Sequence, residues 1–258
     1  MIRAVFFDVD GTLLSHKSGQ VPESARRSLY RLREKGIKVF LSTGRHMIEL
    51  RKLPVADLEF DGYVTLNGQL CLDSQQKKVF HMPYLWEETQ ALVKLFLEKE
   101  VPLALVEEQR IYINFVNDCV CQVQKEISTP TPVISTYQGA PLYQATAFLG
   151  KERERFLSDK LPKSCALARW NPGGVDVISS QGGKVMGIQH FQQEFSLAPE
   201  ECMAFGDAEN DMDMLRYAGI GVAMGNADFQ VKNASDYVTA DADEDGIERA
   251  LQKFGILE

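Results

Sequence analysis

The chain has 258 residues, 45% of them hydrophobic and 25% charged, which is core material for one large domain or two smaller ones. A formal net charge of -8 leaves no basic surplus, which argues against non-specific nucleic-acid or anionic-membrane partners while allowing one local positive pocket. The start of the chain reaches its first acids by position 8 with no secretory apolar core or transmembrane run. Five scattered cysteines include no Cys-x-x-Cys pair, so reduced thiols and a cytoplasmic location are expected.

Residues 4–7, Ala-Val-Phe-Phe, form a continuous apolar run that predicts a strand buried on both faces of a parallel sheet. The run ends in Asp8 and Asp10, followed by the turn signal Gly11. Ligands of open α/β sheets sit beyond the carboxyl ends of the strands. Two acids at that spacing repel each other and need a cation, a shared proton or strong donors, and a divalent metal is the simplest answer. The stretch is not an EF-hand: counted from Asp8, the sixth position is Leu13 instead of glycine and the twelfth is Gly19 instead of glutamate.

Val21-Pro22-Glu23 opens a helix in which Ala25, Leu29 and Leu32 recur at helical spacing, and Gly36 stops it. A second apolar strand, 37–41, ends in Ser42-Thr43-Gly44-Arg45. Strand, helix, strand within about 40 residues is a βαβ unit and implies a parallel sheet. A third strand over 60–66 ends in Asn67-Gly68, and 70–82 reads as a hairpin.

From 83 to 183 the character changes. Helices are expected over 86–99 and 152–161, and strands over 103–106, 111–115, 145–149 and 175–178. Loop signals lie at 129–132 and 171–174. Without regular βαβ alternation, this stretch reads as an α+β domain inserted into an α/β core made of 1–82 and 184–258. Within it, Cys119-Val-Cys121 would offer two thiols from one face if the stretch were a strand, short of the four ligands of a zinc site. Arg110, Arg169 and Asn171 are its polar candidates.

Lys184 then opens a helix with an apolar stripe of Val185, Ile188, Phe191 and Phe195, whose spacing means packing and not a cofactor box. Lys184 is not a Walker lysine, since residue 178 is Ile where glycine is needed and Val185 follows. A strand over 202–205 ends in Gly206-Asp207-Ala-Glu-Asn210-Asp211. A helix over 212–217, strands at 220–223 and 237–239 around a helix over 228–233, and a last helix over 247–254 complete the chain. Asp241-Ala-Asp243-Glu-Asp245-Gly246 begins like a calcium loop, but its twelfth position is Gln252 and its eighth Glu248, so it reads as a cap for the final helix.

Four strand ends and one helix start therefore carry polar residues: Asp8 with Asp10, Thr43, Asn67, Asp207 with Asp211, and Lys184. Parallel strands place such ends along one edge, where they can converge. In this order they resemble the haloacid dehalogenase (HAD) superfamily. Asp8-Val9-Asp10-Gly11-Thr12 is similar to its first motif, Thr43 to its second, Lys184 to its third and Gly206-Asp207 through Asp211 to its fourth. Thr43-Gly44-Arg45, Asn67-Gly68 and Gly-Asp-x-x-Asn-Asp resemble the Cof-type branch, in which a large α/β cap follows the third core strand.

The resemblance implies a Rossmann-like parallel core with an inserted α+β cap that sets specificity. It implies an Mg²⁺-dependent phosphatase acting on small phosphorylated metabolites, with sugar phosphates the expected class. Asp8 would be the nucleophile and Asp10 the acid and base, while Thr43 and Lys184 would stabilise phosphoryl charge. The metal would be held by Asp8, the Asp10 main-chain carbonyl and Asp207, with Asp211 in support. Gly44, Arg45, Asn67 and Asn210 are expected to contact substrate or phosphate. A phosphomutase or phosphotransferase, and a non-catalytic module that binds a phosphorylated ligand, are the alternatives. The expected partner is a small phosphorylated molecule, without nucleic acid or membrane, for a monomer or small homo-oligomer. Hinges for cap movement are expected near Met82-Pro83 and Gly182-Gly183.

Overall fold

A computed structural model describes every residue except Ser128, Ser180 and Gln181. The chain divides into two compact units, Met1–His81 with Gly183–Glu258, and Met82–Gly182. The first unit begins with β1 (Ala4–Phe7), α1 (Glu23–Glu34), β2 (Lys38–Ser42), α2 (Met47–Leu50), β3 (Gly62–Thr65), β4 (Leu70–Asp73) and β5 (Lys78–His81). The second holds α3 (Trp86–Glu98), β6 (Leu103–Glu107), β7 (Ile111–Ile113), α4 (Asp118–Glu126), β8 (Val133–Ile134), β9 (Leu142–Phe148), α5 (Glu154–Ser158), β10 (Cys165–Asn171) and β11 (Gly174–Ser179). The chain then returns to the first unit with α6 (Lys184–Phe195), β12 (Cys202–Gly206), α7 (Met212–Tyr217), β13 (Ile220–Ala223), α8 (Phe229–Asn233), β14 (Tyr237–Val238) and α9 (Gly246–Lys253).

The sheet of the first unit runs β14-β13-β12-β1-β2-β3-β4-β5, parallel through β3 and antiparallel in the last two pairings. The all-apolar β1 lies at its centre, with Phe7 in register with Leu41 on one side and Phe205 on the other. Alternate residues point to opposite faces. On one face Phe6, Phe40 and Ala204 meet Ile188 and Phe191 of α6 and Met214 and Leu215 of α7. Phe40 stacks on Phe6 at 4.7 Å between ring centres and lies 4.8 Å from Phe191. Burying each such ring contributes about 1.5–3 kcal/mol. On the other side of the layer α1 packs on β2 and α9. It ends where Gly36, at φ +73°, lets the Ile37 N–H reach back to the Leu32 carbonyl at 3.0 Å. Central β1, covered on both faces, is thus a fixed platform for the acids that follow it.

In the second unit the order is β10-β11-β9-β6-β7-β8, antiparallel except for β7 with β8. Leu92, Leu95 and Phe96 of α3 cover one face through Leu103, Leu105, Tyr112, Ala145 and Val175. Val120 and Val123 of α4 pack on the other through Ala104, Ile113 and Phe148. Three elements differ from expectation. Residues 118–126 are helical, with Asn117 capping the helix by accepting the Val120 N–H at 3.1 Å, so Cys119 and Cys121 do not share a strand face. Cys119 faces the Gly173 carbonyl and Cys121 is exposed, which removes the paired-thiol reading. β10 and β8 are edge strands with incomplete burial, and their sequences lack the apolar alternation that announces a half-buried strand. Among the described residues, no helix is long and apolar enough to cross a membrane.

Candidate active site

The loop leaving β1 folds back on itself. Leu14 donates its N–H to the Val9 carbonyl at 2.7 Å, and Gly11 donates to the Leu14 carbonyl at 2.8 Å. Gly11 sits at φ +80°, and a Cβ there would lie 2.1 Å from Asp207 Oδ2. Only glycine permits both the left-handed backbone and that approach of β12's acid to β1's loop. The Thr12 hydroxyl completes the contact by donating to Asp207 Oδ1 at 3.1 Å.

A second close approach brings the lysine in. Leu66 and Asn67 both adopt positive φ, as does Gly68, where a Cβ would lie 2.1 Å from the Gly183 carbonyl oxygen. Gly183 N–H donates to the Asn67 carbonyl at 3.0 Å, so the turn after β3 is pinned to the start of α6. Consecutive left-handed non-glycine residues are strained, and such strain gathers at functional sites. The turn seats Lys184 in the interior, where its side chain is 0% exposed.

Lys184 Nζ donates to Asp8 Oδ1 at 2.6 Å and to Asp211 Oδ1 at 2.5 Å. The other Asp211 oxygen accepts the Asp207 and Ala208 N–H groups, both at 2.9 Å. Asp211 thus shapes the loop after β12 as well as holding the lysine. Asp8, Asp207 and Asp211 each present an oxygen within 4.8 Å of the others. Two of these three carboxylates share the one ammonium. Burial first, then Asp211, pushes the Asp8 carboxyl well above its usual range, against the pull of Lys184. Burial also raises Asp207, with Asp211 adding to it while His16 and Thr12 oppose. Burial disfavours the Lys184 charge, but Asp211 and Asp8 outweigh it and hold the ammonium above its ordinary value. An all-oxygen, electron-rich set with surplus negative charge fits a hard divalent cation.

Asp10 is placed differently from the other acids. Arg45, 14% exposed, grips its carboxylate with both forks, Nε at 2.6 Å and Nη2 at 2.8 Å. That pair belongs to the kind with the best-defined geometry, and it fixes the orientation of the Asp10 carboxylate. Thr43 is buried; its hydroxyl accepts the Arg45 N–H at 3.1 Å, and its carbonyl accepts the Asn67 N–H at 3.0 Å. Asn210 donates to Asn67 Oδ1 at 3.0 Å, and Gly44 lies against the same asparagine. The loops after β1, β2, β3 and β12 are thereby joined into one network with Lys184.

Thr12 entered the sequence reading only as the last residue of the first motif, without a role, and His16 and Asn226 were not singled out. His16 Nε2 lies 3.7 Å from Asp207 Oδ2, and Asn226 donates to the same oxygen at 3.3 Å. Asn226 had a signal of the kind that found the others, a polar residue three positions beyond the end of the apolar strand β13. In the second unit, Arg169 is engaged by Glu154 and by the carbonyls of Leu149, Asn171 and Pro172. Arg110 is paired with Glu107, and the Asn171 side chain joins Glu126 to the Gly173 N–H. These three candidates stabilise their own unit.

Comparison with known proteins agrees with this geometry. The model of the haloacid dehalogenase-like hydrolases matches residues 5–251. A solved HAD subclass IIB sugar phosphatase is 35% identical, with a TM-score of 0.89 over 99% of this chain and 100% of its own. A Bacillus subtilis protein provisionally named phosphatase YkrA is 29% identical across 99% of this chain and 98% of its own length. A Streptococcus pyogenes protein, whose provisional name joins a phosphatase to a peptidyl-prolyl cis-trans isomerase, is also 29% identical across the whole chain, which spans 55% of it. The chain belongs to the haloacid dehalogenase-like hydrolase family and is a phosphoric monoester hydrolase.

Proposed function

We propose that this chain is an Mg²⁺-dependent phosphatase of small phosphorylated metabolites, sugar phosphates foremost, that works through a phosphorylated Asp8. The observation that carries the reading is the Lys184 ammonium bridging Asp8 and Asp211 in a buried cluster of three acids. Support for the substrate class comes from the likeness to a sugar phosphatase across the full length.

Asp8, Asp207, the main-chain carbonyl of Asp10 and, in support, Asp211 would hold Mg²⁺, which neutralises charge between an anionic nucleophile and an anionic substrate. Lys184 fixes the Asp8 oxygen and opposes the rise that burial and Asp211 impose on its carboxyl, favouring the anion that attacks phosphorus. The phosphorus–oxygen bond to the alcohol breaks as the bond to Asp8 forms, and Asp10 passes a proton to the departing oxygen. Asp10, now anionic, takes a proton from water. That water attacks the phosphorus of the aspartyl-phosphate, releasing phosphate and restoring Asp8. Arg45 positions Asp10 for both transfers. Thr43 and Lys184 donate to the transferring phosphoryl oxygens. Asn67 and Asn210, joined to each other, hold the phosphate-facing loops in place, with Gly44 giving Asn67 room. The unit Met82–Gly182 is the cap that selects the substrate, and the location is cytoplasmic.

The test is hydrolysis of an aryl phosphate and of a sugar-phosphate panel, with and without Mg²⁺, by the wild type and Asp8→Asn. Hydrolysis that needs both the metal and Asp8 is expected. Turnover of aryl phosphate by Asp8→Asn, with deamidation ruled out by mass, would overturn the nucleophile. Equal turnover in a chelator would overturn the metal.

A further inference from the structure

We infer that Asn226 is a positioning residue that aims the Asp207 carboxylate at its cation, an inference that rests on the metal site proposed above. Its turn is anchored on both sides. Met224 N–H donates to the Gly206 carbonyl, Gly225 N–H to the Ala240 carbonyl and Ala227 N–H to the Met224 carbonyl, each at 3.0 Å. A Cβ on Gly225 would lie 2.5 Å from Asp241 Oδ1, so the turn is pressed onto residues 240–241.

From this base the Asn226 amide works in two directions. Its oxygen accepts the Ala242 N–H at 3.1 Å, which commits the NH₂ group to the opposite side. There it donates to the Gly11 carbonyl at 2.9 Å and to Asp207 Oδ2 at 3.3 Å. Thr12 donates to Asp207 Oδ1 at 3.1 Å. Each Asp207 oxygen thus receives a side-chain donor, and each keeps lone-pair capacity for a cation. The same amide ties Asp207 to the turn that follows Asp8 and Asp10, so one side chain sets the relative placement of acids from β1 and β12. An aspartate here would set a second carboxylate against Asp207 and the Gly11 carbonyl. Asn226 is exposed on its outer side, so its contribution is orientation and not packing. Partners that orient a ligating carboxylate in this way typically set metal affinity within a factor of about 10–100.

The test uses the full chain and Mn²⁺ as probe, titrated by electron paramagnetic resonance. Asn226→Ala is expected to bind Mn²⁺ about 10–100-fold more weakly than the wild type, with a changed spectrum of the bound ion. The metal-free melting temperature is expected to stay near that of the wild type. Asn226→Leu, close in size and without donors, asks the same question should the alanine variant misfold. Wild-type Mn²⁺ affinity in a folded variant would overturn the role of Asn226 while leaving the cation site standing. A wild type that binds no Mn²⁺ would overturn the site itself and this inference with it.

Discussion

Replacing Lys184 by methionine keeps the chain length and removes the charge and every donor. The side chain is fully enclosed and bonds Asp8 at 2.6 Å and Asp211 at 2.5 Å. A hydrogen bond to a charged group contributes about 1.5–3 kcal/mol, so the two together contribute about 3–6 kcal/mol. The variant leaves two buried carboxylates facing each other beside Asp207. Proton uptake relieves part of that cost, because burial and Asp211 already hold the Asp8 carboxyl above its usual range. The net loss is about 3–5 kcal/mol, the range for breaking a buried pair by removing one partner. At about 2–4 °C per kcal/mol, the melting temperature should fall by roughly 6–20 °C in a chelator at neutral pH.

The sign with pH follows from the direction of the shifts. Lys184 is raised, so its stabilisation is fully present below the ordinary lysine value and is lost only as pH rises through the higher folded value. Asp8 is also raised, so protonation eases the variant's repulsion as pH falls. The deficit of Lys184→Met should therefore shrink towards acid pH. A neutral-pH loss under about 1 kcal/mol, in the range of an exposed pair, with no dependence of the deficit on pH, would refute the reasoning.

In the second unit, burial works against the Glu107 charge, but Arg110 and then Tyr112 hold the carboxyl below the ordinary glutamate range. Its stabilisation is present above the unfolded value and lost as pH falls through the folded one, so Glu107→Gln should flatten the acid limb of melts taken from neutral to about pH 3; parallel curves would contradict it. Gly187→Ala gains about 1 kcal/mol in helix propensity, yet its Cβ would lie 2.4 Å from a Val64 methyl and 2.9 Å from Cys71 Sγ. Urea titration should show a net loss of about 1–3 kcal/mol, and a gain would contradict the packing. Thiol labelling followed by peptide mass analysis should mark exposed Cys121 first, ahead of Cys165, whose thiol burial pushes up to about 12, and of enclosed Cys71 and Cys202. Early labelling of Cys71 would contradict its burial.

Much of the first unit was legible because its strands announce themselves twice, as apolar runs and as polar strand ends. The same rule located Asp8, Thr43, Asn67 and Asp207, and the topology brought them to one edge. What stayed hidden is information carried by side-chain partners. Nothing in the spacing tells that Arg45 grips Asp10, or that Asp211 spends both oxygens on Lys184 and the loop backbone. The helix over 118–126 escaped notice because only Val120 and Val123 mark its inner face, while its cap, Asn117, reads equally well as a turn residue. β10 escaped because an edge strand needs only one well-packed neighbour, and its Arg169 and Trp170 break the apolar pattern.

The central claim is that Asp8 carries the phosphoryl group during turnover, and rapid acid quench tests it most directly. Enzyme, Mg²⁺ and a sugar phosphate are mixed, quenched within the first turnover, digested and mapped by mass spectrometry. The account predicts a phosphoryl group on the peptide bearing Asp8, absent from Asp8→Asn and lost in a chase before quenching. Phosphorylation at any other residue, or burst-phase product with an unmodified Asp8 peptide, would contradict it.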